Sequence, residues 1–81
     1  MQNELKNAAS RVVGTKQVLR AINEGKANMV FLGKDADGFI YHRVQRECEN
    51  NHVPVTLVET MAELGKLCMV QVPTACAAVL K

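Results

Sequence analysis

The sequence predicts a three-layer α/β/α sandwich on a small four-stranded mixed sheet, in a single domain over residues 1–81. Three observations predict it. Stretches with apolar residues three and four apart alternate with short apolar runs, the pattern of helices alternating with strands. One run, Met29-Val30-Phe31-Leu32, is continuous, as in a strand covered on both faces. With 81 residues, 48% of them apolar, the chain can build one core. It is too short for a TIM barrel, a two-lobed enzyme or a repeat array.

Taken in order, residues 3–10 read as a short helix and Val12-Val13 as a brief strand. Gly14-Thr15 breaks the chain, and Thr15 is expected to cap a helix running to about Glu24. Val18, Leu19 and Ile22 form its apolar face, and Gly25 suits the position just past its end. The strand at 29–32 follows, then the polar loop Lys34-Asp35-Ala36-Asp37-Gly38. Asp37 is placed to cap a helix near 38–51, whose inner positions Ile40, Val44 and Cys48 are four apart. Asn50-Asn51-His52 closes it. A strand over 53–58 carries Pro54 near its start, where no ladder donor is lost. Thr60 with Glu63 makes a T-x-x-E capping pattern for a helix over 61–68, with Met61, Leu64 and Leu67 or Cys68 inward. A loop over 69–74 containing Pro73 leads to a last strand over 75–80.

Residues 1–13 contain no apolar run of signal-peptide type, and no stretch approaches the roughly 20 residues that span a bilayer. The three cysteines, Cys48, Cys68 and Cys76, form no C-x-x-C pair and sit among apolar neighbours. Buried thiols, a cytoplasmic location and no membrane partner are the expectation. Charge is uneven. Residues 1–27 hold five basic against two acidic side chains, and residues 28–81 hold five against six. A local basic face on a nearly neutral body suits phosphate binding.

Little in the sequence suggests catalysis. Neither G-x-G-x-x-G nor G-x-x-x-x-G-K-[ST] is present. Asp35-x-Asp37-Gly38 begins like a calcium loop, but Ile40 and Arg46 stand where that loop needs Gly and Glu. Cys48 and His52 have a spacing that can pair two metal ligands, yet a zinc site needs three or four. No metal, cofactor or enzymatic activity is expected. The turn Gly14-Thr15-Lys16-Gln17-Val18-Leu19-Arg20 is more informative. A helix start offers free amides and a partial positive charge. Lys16 and Arg20, four apart, share a face, and the Gln17 amide suits a base edge. From residue chemistry alone, a solvated polar face is the commoner outcome for such a pattern.

Three segments together carry a resemblance: VGTKQVLRAINEGKANMVFLGKDAD at 13–37, NNHVPVTLVETMAELGKLC at 50–68 and MVQVPTACAAVL at 69–80. In order and length they resemble the kink-turn-binding large-subunit ribosomal proteins of the L7Ae and L30e type, and within these the short bacterial branch. The resemblance implies the same α/β/α sandwich. It also implies RNA binding at a kink-turn, a bend with tandem sheared G·A pairs. The positions matching the groove-entering helix start are Gly14, Thr15, Lys16, Gln17 and Arg20. Lys34 and Asp35 match the loop beside it. Val70, Gln71 and Val72 match the loop that packs on a flipped-out nucleotide. Relatives carry Gly-Ile-Glu-Val where this chain has Met69-Val70-Gln71-Val72, and losing that glycine restricts φ at 69.

The expected function is therefore a ribosome-associated, monomeric protein that clamps kink-turn or ribosomal RNA without doing chemistry. The alternative is a protein–protein module of the same fold, using the apolar residues Met69, Val70 and Val72.

Overall fold

The computed structural model describes residues 10–81. The helix expected over 3–10 therefore lies, apart from Ser10, outside the described residues. The elements are β1 (Arg11–Val13), α1 (Thr15–Asn23), β2 (Ala27–Gly33), α2 (Gly38–Asn50), β3 (Val55–Val58), α3 (Met61–Leu67) and β4 (Cys76–Leu80). The strands form one sheet in the order β1-β4-β2-β3. β2 and β3 are parallel, and β4 runs antiparallel to both β1 and β2.

Period-two alternation divides the core across the sheet. Val30, Leu32, Cys76 and Ala78 point to one face and meet Val18, Ala21 and Ile22 of α1 with Val44 and Cys48 of α2. Phe31, Ala77 and Val79 point to the other and meet Leu64 and Cys68 at α3. This is the sandwich that the alternating pattern predicts. The register of β2 against β4 shifts between Ala27 and Met29. That irregularity puts Ala27 on the same face as Val30.

Each helix ends by the same device. The amide of the second residue past the cap reaches back to a carbonyl five residues earlier, and its predecessor bonds to one three residues earlier. In α1 these bonds are Lys26 N–H to Ala21 O (2.9 Å) and Gly25 N–H to Ile22 O (3.1 Å). In α2 they are Val53 to Cys48 (2.8 Å) and His52 to Glu49 (3.3 Å). In α3 they are Val70 to Gly65 (3.0 Å) and Met69 to Lys66 (3.0 Å). The motif requires a left-handed residue. Gly25 supplies it at φ 72, while His52 (φ 57) and Met69 (φ 59) do so despite their side chains.

The missing glycine at 69 therefore changes the cost of the turn and not its shape. Left-handed backbone costs a non-glycine residue about 1–2 kcal/mol. Met69 is 70% exposed and returns little by packing. Met69→Gly is expected to raise stability by about 1 kcal/mol, the gain being trimmed by the greater freedom of glycine in the unfolded chain. Urea denaturation measures it, and a lower midpoint for the glycine variant would contradict this account.

The element boundaries hold with local corrections. Thr15 is not the cap of α1. That position belongs to Gly14, at φ 101, and no side chain caps the helix. The chain has to leave β1 through that backbone conformation while Gly14 N–H bonds to Cys76 O (3.0 Å), so a glycine takes the boundary. β3 begins at Val55, leaving Pro54 just outside it, where its carbonyl accepts from Val30 N–H (3.0 Å). β4 begins at Cys76, because Ala75 O turns to Gly33 N–H.

Candidate nucleic-acid interface

The topology gathers three helix starts at one end of the sheet. β2 and β3 are parallel and each is followed by a helix, so α2 and α3 both begin beyond their carboxyl ends. β1 is antiparallel to β4, which is antiparallel to β2, so α1 begins at that end too. In open α/β sheets this is the end where ligands are commonly held.

Hydrogen bonds lock the segments there. Gly14 N–H reaches Cys76 O, Gly33 N–H reaches Ala75 O (2.9 Å) and Lys34 N–H reaches Val58 O (2.8 Å). Asp35 Oδ1 accepts from Met61 N–H (2.8 Å), and Met61 O accepts from Thr74 N–H (3.0 Å). The start of α1, the loop after β2, the start of α3 and the approach to β4 thus form one tethered rim. The residues expected from the sequence distribute unequally over it.

On α1, Lys16, Gln17 and Arg20 are exposed, while Gly14 and Thr15 are half-buried. Among the described residues neither Lys16 nor Arg20 forms an ion pair. Gln17 and Arg20 border a groove of about 190 Å³ with Val12 and Glu24. The helix start itself is open. Asp37 caps α2 by accepting from Phe39 N–H (2.9 Å), and Thr60 caps α3 by accepting from Glu63 N–H (3.0 Å). Gly14 has no side chain to do the same for α1, so no side chain takes up the donors of that turn. Thr15 turns inward, its Oγ1 taking a contact of 3.8 Å from Cys76 Sγ.

In the loop after β2, the Lys34 ammonium meets Glu59 Oε2 at 2.8 Å. The hydrogen bond and charge of Glu59 raise the Lys34 pKa above its ordinary value. Asp35 is occupied as the tether of α3. These two partnerships were not foreseen in the sequence, because Glu59 and Met61 are brought to the loop by the packing of β2 beside β3.

The segment after α3 turns outward after Val70. Val70 packs against the second core, whereas Gln71 is exposed and Val72 is 64% exposed. Of the two valines expected to act together, only Val72 is exposed. Gly65 supports it from beneath, its Cα lying so close that a Cβ would collide with the Val72 carbonyl oxygen. A glycine inside a seven-residue helix was the available signal.

The cysteines belong to the core. All three are buried and free. Burial pushes the Cys48 thiol up to about 11, with Cys76 and Glu47 adding to it. Burial also raises Cys68 and Cys76, against smaller opposite effects of Arg11 and Thr15. These thiols stay protonated at neutral pH, the unreactive form. Among the described residues no three His, Cys, Asp or Glu side chains cluster to hold a metal. Nor is any described helix long and apolar enough to cross a membrane.

Comparison with known proteins agrees with this geometry. The family model of the ribosomal protein L7Ae/L30e/S12e/Gadd45 family matches residues 2–81. An RNA-binding protein of Geobacillus sp. (strain WCH70) is 45% identical over 74 residues, covering 91% of this chain and 90% of that protein. RNA-binding protein YbxF of Geobacillus stearothermophilus is 43% identical over 74 residues, with the same coverage. Among solved structures, the 15.5kD RNA binding protein of Giardia lamblia superposes with a TM-score of 0.89 at 31% identity. That superposition covers 99% of this chain and 70% of the Giardia chain.

Proposed function

The chain belongs to the ribosomal protein L7Ae/L30e/S12e/Gadd45 family, and on that premise we propose that it binds RNA, recognising kink-turn-like elements as a ribosome-associated clamp. The observation that carries this reading is the open, uncapped start of α1 with Lys16 and Arg20 unpaired among the described residues, tied into the same rim as the loop that carries Val72. Three relatives named above are themselves called RNA-binding.

The roles follow from the side chains. The first-turn amides of α1 and Lys16 take phosphates at the bend. Gln17 reads a base edge, and Arg20 grips a base or phosphate through its two-pronged guanidinium. Gln71 and Val72 receive a base extruded from the stack, because RNA bases are read most readily where they are unstacked. Val70 and Asp35 hold the rim in shape. The protein makes and breaks no covalent bond. It binds the bent RNA better than the straight one, which shifts the RNA's population toward the bend.

The deciding experiment is a titration of a labelled kink-turn RNA at two salt concentrations, beside an RNA whose G·A pairs are replaced. Tight, salt-sensitive binding to the first alone supports the reading. Equal affinity for both RNAs overturns it and directs attention to a protein partner at the exposed Met69 and Val72.

Lys34 provides a finer check. Its ammonium is held by Glu59, so RNA must compete with that carboxylate. Surface pairs of this kind are worth about 0–1 kcal/mol. Glu59→Gln frees Lys34 and removes a negative charge from the rim, so kink-turn affinity should rise by up to about fivefold. Unchanged or weaker binding would remove Lys34 from the interface.

A further inference from the structure

Helix α2 turns Val44 and Cys48 to the core, which sends Phe39, His42, Arg43 and Arg46 to the solvent. Residues three and four apart are neighbours on a helix surface. The four therefore form one stripe, about 10 Å long from Phe39 to Arg46 at the helical rise.

Two features of the stripe have no role in the fold. The chain has two Phe and one Tyr. Phe31 is in the core, Tyr41 is half-buried, and Phe39 is 71% exposed. Arg43 and Arg46, meanwhile, have no ion pair or hydrogen-bond partner among the described residues. The acid nearest the helix start, Asp37, is committed to Phe39 N–H. Glu49 lies further along the helix, beside His42 and Arg46 in a neighbouring groove, and Glu47, four residues after Arg43, is half-buried and forms no ion pair with it. A second groove, of about 270 Å³, runs between Phe39, His42, Arg43 and Arg46.

An exposed aromatic face followed by unpaired guanidiniums has the chemistry of a single-strand nucleic-acid track. Unpaired bases stack on the ring whatever their sequence, and the cations follow the phosphates. The stripe also starts in the right place. α1 and α2 pack together on one sheet face and begin at the same end, so Phe39 stands at the rim that carries the α1 start.

We infer that the outer face of α2 is a second RNA surface, which takes single-stranded nucleotides leaving the kinked element. A base stacks on Phe39, and successive phosphates meet Arg43 and Arg46. This rests on the reading given under Proposed function and extends its contact to unpaired flanking RNA.

The test uses the full chain, Phe39→Ala and the double variant Arg43→Ala/Arg46→Ala. Each is titrated with a blunt-ended kink-turn, with kink-turns bearing a short single-stranded extension at the 5′ or the 3′ end, and with the short strand alone. One extension is expected to tighten binding about tenfold. Both variants should lose that gain and keep the affinity for the blunt RNA. All four side chains are exposed, so the variants should fold as the parent does.

Equal affinity for blunt and extended RNAs overturns the inference, as does a gain that survives both variants. If no kink-turn is preferred, the reading at α1 fails, and the strand alone then judges α2. Amide shifts confined to residues 38–46 and absent from Phe39→Ala uphold the track, and no shifts overturn it. Self-association without RNA that Phe39→Ala abolishes would assign the stripe to a second copy, and that too overturns it.

Discussion

Gly65→Ala is expected to destabilise the protein by about 2–3 kcal/mol, the upper part of the usual overpacking range of about 1–3 kcal/mol, because the backbone it meets cannot step aside. Gly65 is buried in α3, and a Cβ there would run into the Val72 carbonyl oxygen while also pressing on Val72 C at 3.3 Å, with Pro73 Cα in contact at 3.6 Å. Nothing in that group is a flexible side-chain end. To relieve the collision, residues 70–73 must lift away, which strains the bonds from Val70 N–H to Gly65 O and from Thr74 N–H to Met61 O. The other escape tilts α3 off the sheet and draws Leu64 and Cys68 from the core. A domain of this length has roughly 4–12 kcal/mol of stability in all, so either route consumes a large share. Gly38→Ala is the control. A Cβ at Gly38 meets nothing within 4 Å, and that substitution should be neutral or stabilise α2 by up to about 1 kcal/mol. Urea unfolding of the two variants checks the pair. Similar midpoints for both would refute the close approach at Val72.

The second large effect is on binding. Lys16→Ala and Arg20→Ala should each weaken kink-turn binding by roughly 1–3 kcal/mol where the side chain reads a base. Where Lys16 meets only a phosphate, the loss is uniform across sequences and the salt slope falls by about one. Neither residue is held by an ion pair among the described residues and both are exposed, so the thermal midpoint should barely move. This separates recognition from folding. Arg20→Lys refines it, since lysine keeps the charge and loses the planar fork. If Arg20 acts as a fork, the lysine variant binds nearly as poorly as the alanine one. Wild-type affinity in the Lys16→Ala/Arg20→Ala double variant would remove the α1 start from the interface.

What could be read from the sequence was what neighbours in the chain decide. The run at 29–32, the Asp37 cap and the Thr60-Glu63 turn each depend on residues within a few positions, and all appear in the structure. What escaped depends on distant partners. Gly14 displaces Thr15 as the α1 cap because β4 holds its amide. Lys34 and Asp35 are engaged by Glu59 and Met61, 25 and 26 residues away. No local pattern announces such pairs. Val70 and Val72 look alike in the sequence, yet only the path of the chain over Gly65 sends one inward and the other out. The left-handed turn at Met69 was hidden because glycine, its usual mark, is absent.

The rim at the end of the sheet is fastened largely through main-chain groups, with Asp35 the one side chain among its five tethers. Its outline is therefore almost independent of the side chains displayed on it. Exchanges at Lys16, Gln17, Arg20, Gln71 and Val72 alter the chemistry presented while the mould keeps its form. Such a scaffold can be retargeted one position at a time, by evolution or by design, because exposed positions away from the tethers carry little of the stability. The exceptions are Asp35, whose carboxylate is itself a tether, and Gly14, Gly33 and Gly65, where a new side chain would disturb the mould itself.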